Sequence, residues 1–244
     1  MEDWTEGVNL EALEAMGPEE LLRWSWEARG TRAAIFTSFQ KTGCVMIDMA
    51  RTAAPELRVL TVDTLRLPQD THDLMTALEE KYGIRIERFQ PDPERVARMV
   101  DDHGEFLFFD SREKQEHCCA VRKVEPNRRA LATVDIWITG LRRDQSAFRK
   151  ATPKAAVVEQ NDRRLLKLCP LIDWTEERVN AHIAERGVPY NSLYDKGYTS
   201  IGCVICSTPT RPGEDPRAGR WRWTNQLAEA GKKECGIHIQ GSGI

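Results

Sequence analysis

The sequence predicts an α/β fold, with a mostly parallel sheet covered by helices on both faces. Strand-like apolar runs alternate with helical patterns from residue 33 to residue 139, which is typical of consecutive strand–helix–strand units. Such a sheet is buried by the helices that connect its strands. The length of 244 residues exceeds the usual domain size of roughly 100–150 residues but fits one large α/β domain with appendages. We therefore expect a single core.

The expected elements follow one another along the chain. Two short helices between residues 9 and 29 are separated by Gly17-Pro18, which interrupts the helical pattern. Strands are expected at residues 33–36, 57–62, 84–89, 106–109 and 133–139, and helices at 42–54, 70–82, 93–103, 111–124 and 175–187. Pro126 is expected to end the helix at 111–124. Because ligands bind beyond the carboxyl ends of parallel strands, the loops 37–43, 63–67 and 140–146 should meet in one crevice.

Composition and charge exclude several classes of protein. The chain has 35 Lys and Arg against 38 Asp and Glu, so a net charge of −3 predicts no overall attraction to nucleic acid or to an anionic membrane. The acidic N-terminus lacks the basic region and apolar stretch of a signal peptide, and no apolar run approaches the ~20 residues of a spanning helix. We expect a cytoplasmic protein with no nucleic-acid or membrane partner.

The seven cysteines are too sparse for a disulfide scaffold, and their number is odd. Cys118-Cys119 and Cys203-x-x-Cys206 together offer four thiolates, which suit either a tetrahedral zinc ion or an iron–sulfur cluster. Adjacent cysteines fit a multi-iron cluster more comfortably than a single ion. Two other interpretations stay open: the adjacent pair could be small buried helix residues, and the C-x-x-C could be a redox dithiol.

The remaining cysteines differ in their surroundings. Cys44 and Cys169 lie in apolar segments, so we assign both to the core. Cys235 has Lys232, Lys233 and His238 nearby, and positive charge favours the thiolate, which is the nucleophilic form. The alternative is a surface cysteine in a disordered tail.

Basic residues cluster locally although the whole chain is acidic. The clusters are Arg142, Arg143, Arg149, Lys150 and Lys154; Arg211, Arg217, Arg220 and Arg222; and Arg122 with Lys123. A solvated surface is the usual fate of such runs. Their position at loops expected to converge favours a compact polyanion instead, because guanidinium groups bind phosphate and sulfate oxygens in pairs.

The loop at residues 37–43 follows the first strand and opens a helix. Its hydroxyl groups, from Thr37 and Ser38, and the backbone N–H groups of the helix start suit a phosphate. The loop does not match the Walker pattern. A plain helix cap formed by Thr42 explains the loop nearly as well.

Six ordered motifs resemble the sulfonucleotide reductases, and within them the iron–sulfur adenylylsulfate (APS) reductases. They are CCAVRKVEPNRRAL at 118–131, WITGLRRDQS at 137–146, CPLIDWT at 169–175, VPYNSLYDKGYTSIGCVIC at 188–206, GRWRW at 219–223 and KECGIH at 233–238. The resemblance spans about residues 33 to 240. It implies an adenine nucleotide α-hydrolase-like fold, with an N-terminal helical segment at 1–30, a reductase domain at 31–224 and a C-terminal segment at 225–244.

The resemblance also implies roles for individual residues. It implies a [4Fe–4S] cluster on Cys118, Cys119, Cys203 and Cys206. Cys235 matches the family nucleophile. Four residues match positions around the sulfate: Lys123, Arg217, Arg220 and His238. Gly140 matches a backbone contact to adenine, and the phosphate-binding arginine corresponds to Arg149 or, with a one-residue shift, to Lys150.

Two segments depart from the family pattern. The phosphate loop reads Ser38-Phe39-Gln40-Lys41-Thr42-Gly43 where relatives usually carry a Ser-Gly- or Ser-Phe-Gly-like run with an acidic residue. After the second strand, Val62-Asp63-Thr64-Leu65 stands where relatives tend to read Leu-Asp-Thr-Gly, and the missing Gly alters how that loop approaches the base.

The activity implied by the resemblance is the reduction of APS to sulfite and AMP in assimilatory sulfate reduction and cysteine biosynthesis. A thiolate at Cys235 would form an S-sulfocysteine, and thioredoxin or a similar dithiol would release sulfite. Three alternatives remain at this point: a reductase that takes the 3′-phosphorylated substrate PAPS or both substrates, an ATP-pyrophosphatase-like enzyme, and a non-enzymatic redox sensor. Whether the chain forms a homo-oligomer is left open.

Overall fold

The computed structural model describes residues 4–146, 149–160 and 163–225. Within them, six strands form one sheet in the order β3-β2-β1-β4-β6-β5. The strands are β1 (Ala33–Phe36), β2 (Arg58–Val62), β3 (Ile86–Phe89), β4 (Ile136–Thr139), β5 (Ala155–Gln160) and β6 (Arg163–Leu168). All neighbours pair in parallel except β5 and β6, which are antiparallel. The expected mostly parallel sheet is confirmed.

Helices connect these strands and cover the sheet. They are α1 (Leu10–Ala15), α2 (Pro18–Arg29), α3 (Lys41–Ala53), α4 (Gln69–Tyr82), α5 (Pro93–His103), α6 (Arg112–Cys119), α7 (Glu125–Leu131), α8 (Glu176–Arg186) and α9 (Arg222–Asn225). The break at Gly17-Pro18 falls between α1 and α2, as expected. No helix in the described part of the chain is both long and apolar enough to cross a membrane.

Helix α3 is the most deeply buried of these elements. Cys44, Val45, Met46 and Ile47 have no exposed surface, because α3 packs against the sheet and is flanked by α2 and α8. Burying so many apolar side chains contributes roughly 1.5–3 kcal/mol each to folding. Helix α3 is therefore held firmly against the sheet, and the 37–43 loop is anchored where it runs into this helix.

The strand order reverses between β1 and β4. From β1 the chain adds β2 and β3 on one side of the sheet, then returns to place β4 on the other side. Phe36 and Thr139, the last residues of these two neighbouring strands, lie opposite each other. A crevice forms at such a reversal because the connections leave in opposite directions, and it is where ligands bind in open α/β sheets.

One predicted strand is wrong, and one hairpin was not predicted. Residues 106–109 do not form a strand: Leu107–Phe109 is a 3₁₀ turn in which Phe108 is buried, while Phe106 and Phe109 are exposed. Among the described residues the sheet ends at β3, and this segment does not pair with the open edge of that strand. The hairpin of β5 and β6 had no counterpart among the expected elements, because its charged residues interrupt the apolar alternation.

The helix expected at 111–124 also does not end at Pro126. A π-helical turn over Ala120–Val124 follows α6 and leads directly into α7. The N–H of Glu125 donates to the carbonyl of Ala120, five residues earlier. Pro126 has no N–H, and its ring would crowd the carbonyl four residues before it in a regular α-helix; the wider turn relieves that crowding. The π turn therefore lies immediately after the paired cysteines.

A buried carboxylate links several segments at the end of the sheet opposite the crevice. Asp135, just before β4, accepts hydrogen bonds from Arg29, Arg32 and Arg163, which come from α2, the start of β1 and β6. Burial raises the pKa of Asp135, but the hydrogen bonds from Arg32 and Arg29 outweigh burial, so the net pKa is lowered. The ionised form is therefore the one that stabilises the fold.

We predict that Asp135→Asn lowers the free energy of unfolding by about 1–3 kcal/mol, because the neutral amide leaves three guanidinium groups without their anion. The wild-type contribution is present above the unfolded pKa near 3.9 and is lost as pH falls through the lower folded pKa. The variant should therefore lose less stability on acidification. Urea unfolding at several pH values measures both effects.

Glu87→Gln is the matched control, because Glu87 pairs with Arg58 at a much more exposed site. It should cost less than about 1 kcal/mol. Equal losses of stability in the two variants would contradict the structural role of Asp135.

Candidate active site

One large cavity opens at the carboxyl ends of β1, β2 and β4. Its volume of about 310 Å³ lies at the lower end of the range for small-molecule sites. Residues from all three expected loops line it, including Thr37, Thr64 and Gly140. The prediction that these loops converge is confirmed.

The 37–43 loop forms a tight turn beneath the cavity. The Thr37 hydroxyl accepts a hydrogen bond from the N–H of Phe39 at 2.9 Å, and Phe39 adopts a left-handed conformation with φ of 57° while its ring is buried. Gly43, in the first turn of α3, lies under this hydroxyl: a Cβ there would come within 2.1 Å of Thr37 Oγ1. The absence of a side chain at Gly43 is therefore what allows Thr37 to hold the turn. Ser38 faces the cavity beside it.

The loop after β4 packs directly against this turn. Gly140 lies so close to α3 that a Cβ would be 3.4 Å from both the Gly43 nitrogen and Thr42 Cβ. Arg142 is buried, donates to Thr42 Oγ1 at 2.6 Å and pairs with Asp144 at 2.9 Å. Thr42 is therefore bonded to the arginine and does not serve as the simple helix cap considered above.

The cavity is strongly cationic within a chain that is slightly acidic. Eight basic residues line it among those described: Lys41, Arg66, Arg122, Lys123, Arg142, Arg149, Arg217 and Arg220. Two acidic residues accompany them, Asp144 and Glu176. Apolar side chains such as Phe36, Val62 and Trp137 form another part of the lining. The apolar lining residues suit a planar ring, and we call them the apolar wall. The basic lining residues suit a compact anion, and we call them the cationic wall.

All four cysteines of the two pairs face this cavity: Cys118, Cys119, Cys203 and Cys206. Helix α6 ends at Cys119, whose sulfur accepts a hydrogen bond from Gln115 at 3.6 Å. The other pair lies on a tight turn in which the Cys206 N–H donates to the Cys203 carbonyl at 2.9 Å. Thr64 Oγ1 lies 3.2 Å from Cys203 Sγ and so links this turn to the loop after β2.

Burial keeps two of these thiols neutral. It raises the pKa of Cys206 to about 12, although Arg220 acts in the opposite direction. Burial also raises the pKa of Cys118, against the positive charges of Arg66 and Arg122. A bound metal would supply the positive charge that removes these protons, so its binding would release protons and strengthen as pH rises.

The donor set of this cysteine site consists of thiols. Within residues 4–146, 149–160 and 163–225, no group of three or more His, Cys, Asp or Glu side chains has the arrangement of a site for one metal ion. A four-iron cluster binds each thiolate through a different iron, so its ligands stand farther apart than those around one zinc ion. Four cysteines from two segments face one cavity, so the thiol donors that such a cluster needs are present there.

The structure brings together most of the residues proposed from sequence and separates two. Lys123, Arg149, Arg217 and Arg220 line the cavity, as do Thr37, Ser38, Gly140, Arg142 and the four paired cysteines. Arg143 lies outside the lining: its guanidinium pairs with Asp173 and donates to the Thr152 carbonyl at 3.0 Å. Lys150 is exposed outside it too, so Arg149 is the better placed of the two candidates for the phosphate. Cys235 and His238 lie outside the described residues.

Gln40 is a site residue that the sequence did not indicate. Its amide donates to the Ile201 carbonyl at 2.9 Å, and its side-chain oxygen accepts from the Ile201 N–H and from the Tyr194 hydroxyl. Gln40 thus joins the 37–43 loop to the segment that carries Cys203. The one signal in the sequence was that Gln40 lies in the segment that departs from the family pattern. Its partner Ile201 is 161 residues away, so the contact itself could not be predicted.

The comparisons with known proteins point to one family. A family model described as a phosphoadenosine phosphosulfate reductase domain matches residues 32–209. The chain is 43% identical to a protein from Allochromatium vinosum named adenosine 5′-phosphosulfate reductase, over 83% of this chain and 77% of that one. Proteins of the same name from Agrobacterium fabrum and Neisseria meningitidis are each 40% identical, over 87% and 84% of this chain and 80% and 82% of theirs.

Solved structures agree with these sequence relatives. The phosphate complex of phosphoadenylyl-sulfate (PAPS) reductase from Candida auris has a TM-score of 0.70 and 29% identity, over 82% of this chain and 96% of that one. The FMN adenylyltransferase of Candida glabrata, in complex with FAD and inorganic pyrophosphate, has a TM-score of 0.55 at 13% identity, over 92% of this chain and 74% of that one. The second similarity bears on the fold alone, and it agrees with the expected α/β architecture.

We predict that Gly43→Ala weakens binding of AMP at least about tenfold, because the new Cβ displaces the Thr37 hydroxyl from the Phe39 N–H. AMP is a suitable probe because it offers a planar base to the apolar wall and a phosphate to the cationic wall. Titration calorimetry measures the change in Kd.

Gly17→Ala serves as the control, since a Cβ at Gly17 meets nothing within 4 Å and its φ of −70° suits any residue. Its AMP affinity should match that of the unchanged chain. Unaltered binding in Gly43→Ala would show that the 37–43 loop does not hold the phosphate.

Proposed function

The chain belongs to the phosphoadenosine phosphosulfate reductase family, and from that membership we propose that it reduces APS to sulfite and AMP with a thioredoxin-like dithiol. One observation carries the proposal: the paired cysteines face the same cavity as the phosphate loop and the convergent basic residues. The names of the sequence relatives support APS as the substrate. Sulfate assimilation is the process that such a reductase serves.

The cavity suggests how the substrate would lie. The adenine would rest against the apolar wall and the Gly140 backbone, with Thr37 and Ser38 near the 5′-phosphate. Arg142 and Arg149 would neutralise phosphate oxygens, while Lys123, Arg217 and Arg220 would hold the sulfo group. Fixed cations of this kind stabilise the charge that develops on the leaving phosphate during transfer.

The reaction would proceed as successive displacements at sulfur. The Cys235 thiolate attacks the sulfur of APS, the bond from sulfur to the phosphate oxygen breaks, and AMP leaves with the electron pair. A thiolate of the dithiol then attacks Cys235 Sγ, and sulfite leaves with the electron pair of the S–S bond. The second thiol of the reductant closes a disulfide and regenerates Cys235. The dithiol is oxidised by two electrons and the sulfo sulfur is reduced by two.

A [4Fe–4S] cluster is proposed as the resident cofactor. Cys118, Cys119, Cys203 and Cys206 would hold it, and its charge would act electrostatically beside the sulfo group. Gln115 and Thr64 hydrogen-bond to two of these sulfurs and so orient the ligands. The π turn after Cys119 directs Arg122 toward the Thr64 carbonyl, which lies 3.3 Å from its guanidinium.

PAPS is the second candidate substrate. The similarity to the Candida auris PAPS reductase favours it, whereas the four paired cysteines and the names of the sequence relatives favour APS. Comparing kcat/KM for the two nucleotides decides between them, and an enzyme that turns over PAPS alone would contradict the proposal.

We predict that Cys235→Ser abolishes the sulfo adduct and lowers sulfite release by at least about 1,000-fold, because no nucleophile remains. Intact-mass measurement after APS addition without reductant detects the adduct. Cys169→Ala is the control, since Cys169 is buried with its pKa raised to about 11 by burial, and it should still form the adduct. An adduct that persists in Cys235→Ser would refute the assignment of the nucleophile.

We predict about four irons and matching acid-labile sulfide per chain in protein purified without oxygen. Cys203→Ser should lower both contents and bleach the visible absorption, because one thiolate ligand is lost. Cys169→Ala should retain both. Stoichiometric zinc without sulfide in the unchanged chain would rule out the cluster.

A further inference from the structure

Three short segments meet beside the cavity and leave apolar side chains in solvent. Leu65, Phe106, Phe109 and Val204 are each between 50% and 63% exposed, and we call these four residues the apolar patch. Of the other large apolar residues in the described chain, Tyr190 is the most exposed, at 37%. A contiguous exposed apolar surface on a folded domain usually marks an interaction site.

Arg66 shows that the members of the apolar patch are neighbours. The Arg66 carbonyl accepts the N–H of Val204 at 2.9 Å, and its guanidinium donates to the Glu105 carbonyl at 3.0 Å and lies over the Phe108 ring. One residue thus connects the segments that carry Leu65, Val204 and the phenylalanines. Arg66 and Cys203 also line the cavity, so the apolar patch borders its cysteine-bearing side.

Backbone conformation at Leu65 gives a second, independent observation. Leu65 has φ of 59°, in the left-handed region where a side chain costs about 1–2 kcal/mol relative to glycine. Phe39 and Trp221 are also left-handed, but Phe39 is buried in the core and the Trp221 ring lies under Arg220. The Leu65 N–H donates to Asp63 Oδ1 at 2.9 Å, which supports this turn, but the Leu65 side chain is half exposed and lacks the burial of the Phe39 ring. It therefore adds to the apolar surface that the patch offers to another molecule.

We propose that the apolar patch is the docking surface for the protein dithiol that reduces Cys235. In the proposed reaction Cys235 takes up the sulfo group from APS bound in this cavity, and the apolar patch borders the cavity. The four side chains expose on the order of 400 Å², well below the roughly 800 Å² per partner of a stable interface but suited to a transient redox encounter. A reductant that must leave after each turnover requires such a small contact. This inference rests on the proposed reductase activity.

The test uses Phe106→Ser and Phe109→Ser in the full chain. Both should raise the KM for thioredoxin about tenfold, because each removes an apolar contact from the surface. Formation of the sulfo adduct without reductant, and sulfite release with dithiothreitol in place of thioredoxin, should be unchanged. Because both side chains are more than half exposed, each substitution should change Tm by less than about 2 °C. A variant of normal stability that is poorer with thioredoxin alone cannot be explained by damage to the fold.

Tyr190→Ser removes an exposed aromatic ring outside the apolar patch and should leave the KM for thioredoxin unchanged. An unchanged KM in both patch variants would overturn the docking proposal. Slower adduct formation in them would show that the patch serves the substrate or the chain's own residues 225–244, and a changed mass in light scattering would show that a second copy covers it; either result also overturns it. Failure of the proposed function looks different, because the unchanged chain would then release no sulfite from APS with either reductant.

Discussion

The pairing of β1 with β4 is the constraint on which the site depends. These strands lie side by side in parallel although about 100 residues separate them, and Phe36 is opposite Thr139. The loops that leave them therefore start together, and the missing side chains of Gly43 and Gly140 let them touch. The arginine at 142 then reaches back to α3. Asp135 fixes the opposite end of the same strands, so the geometry of the phosphate loop is set by contacts at both ends of β4.

Elements with strong local patterns could be predicted from the sequence almost to the residue. The strand at 33–36 and the helix at 93–103 have the expected bounds, because the continuous apolar run, Asp92 as cap and Gly104 as terminator act locally. The 106–109 turn was mistaken for a strand since a run of apolar residues does not state whether a neighbouring strand exists. The sheet order decides that question, and sheet order is a property of distant contacts.

The site shows the same division between local and distant information. Motif resemblance located the paired cysteines, and parallel topology predicted that the loops around them converge. The sequence could not show that Arg149 lines the cavity whereas Arg143 does not. That difference depends on Asp173, which pairs with Arg143 from 30 residues away. The π turn was equally hidden: Pro126 looks like a terminator unless the helix can widen before it. Phe39, Leu65 and Trp221, all left-handed and all beside the cavity, are further places where local propensity and the native conformation disagree.

The burial of the two core cysteines affects which of the seven thiols can react with an electrophile. Burial raises the pKa of Cys44 to about 12 and that of Cys169 to about 11. At neutral pH only about one in ten thousand or fewer of these groups is a thiolate, and neither side chain meets solvent. An oxidant or alkylating agent in solution therefore finds no competing nucleophile in the interior. Desolvation of α3 and of the residues after β6 thus contributes to chemical selectivity as well as to stability.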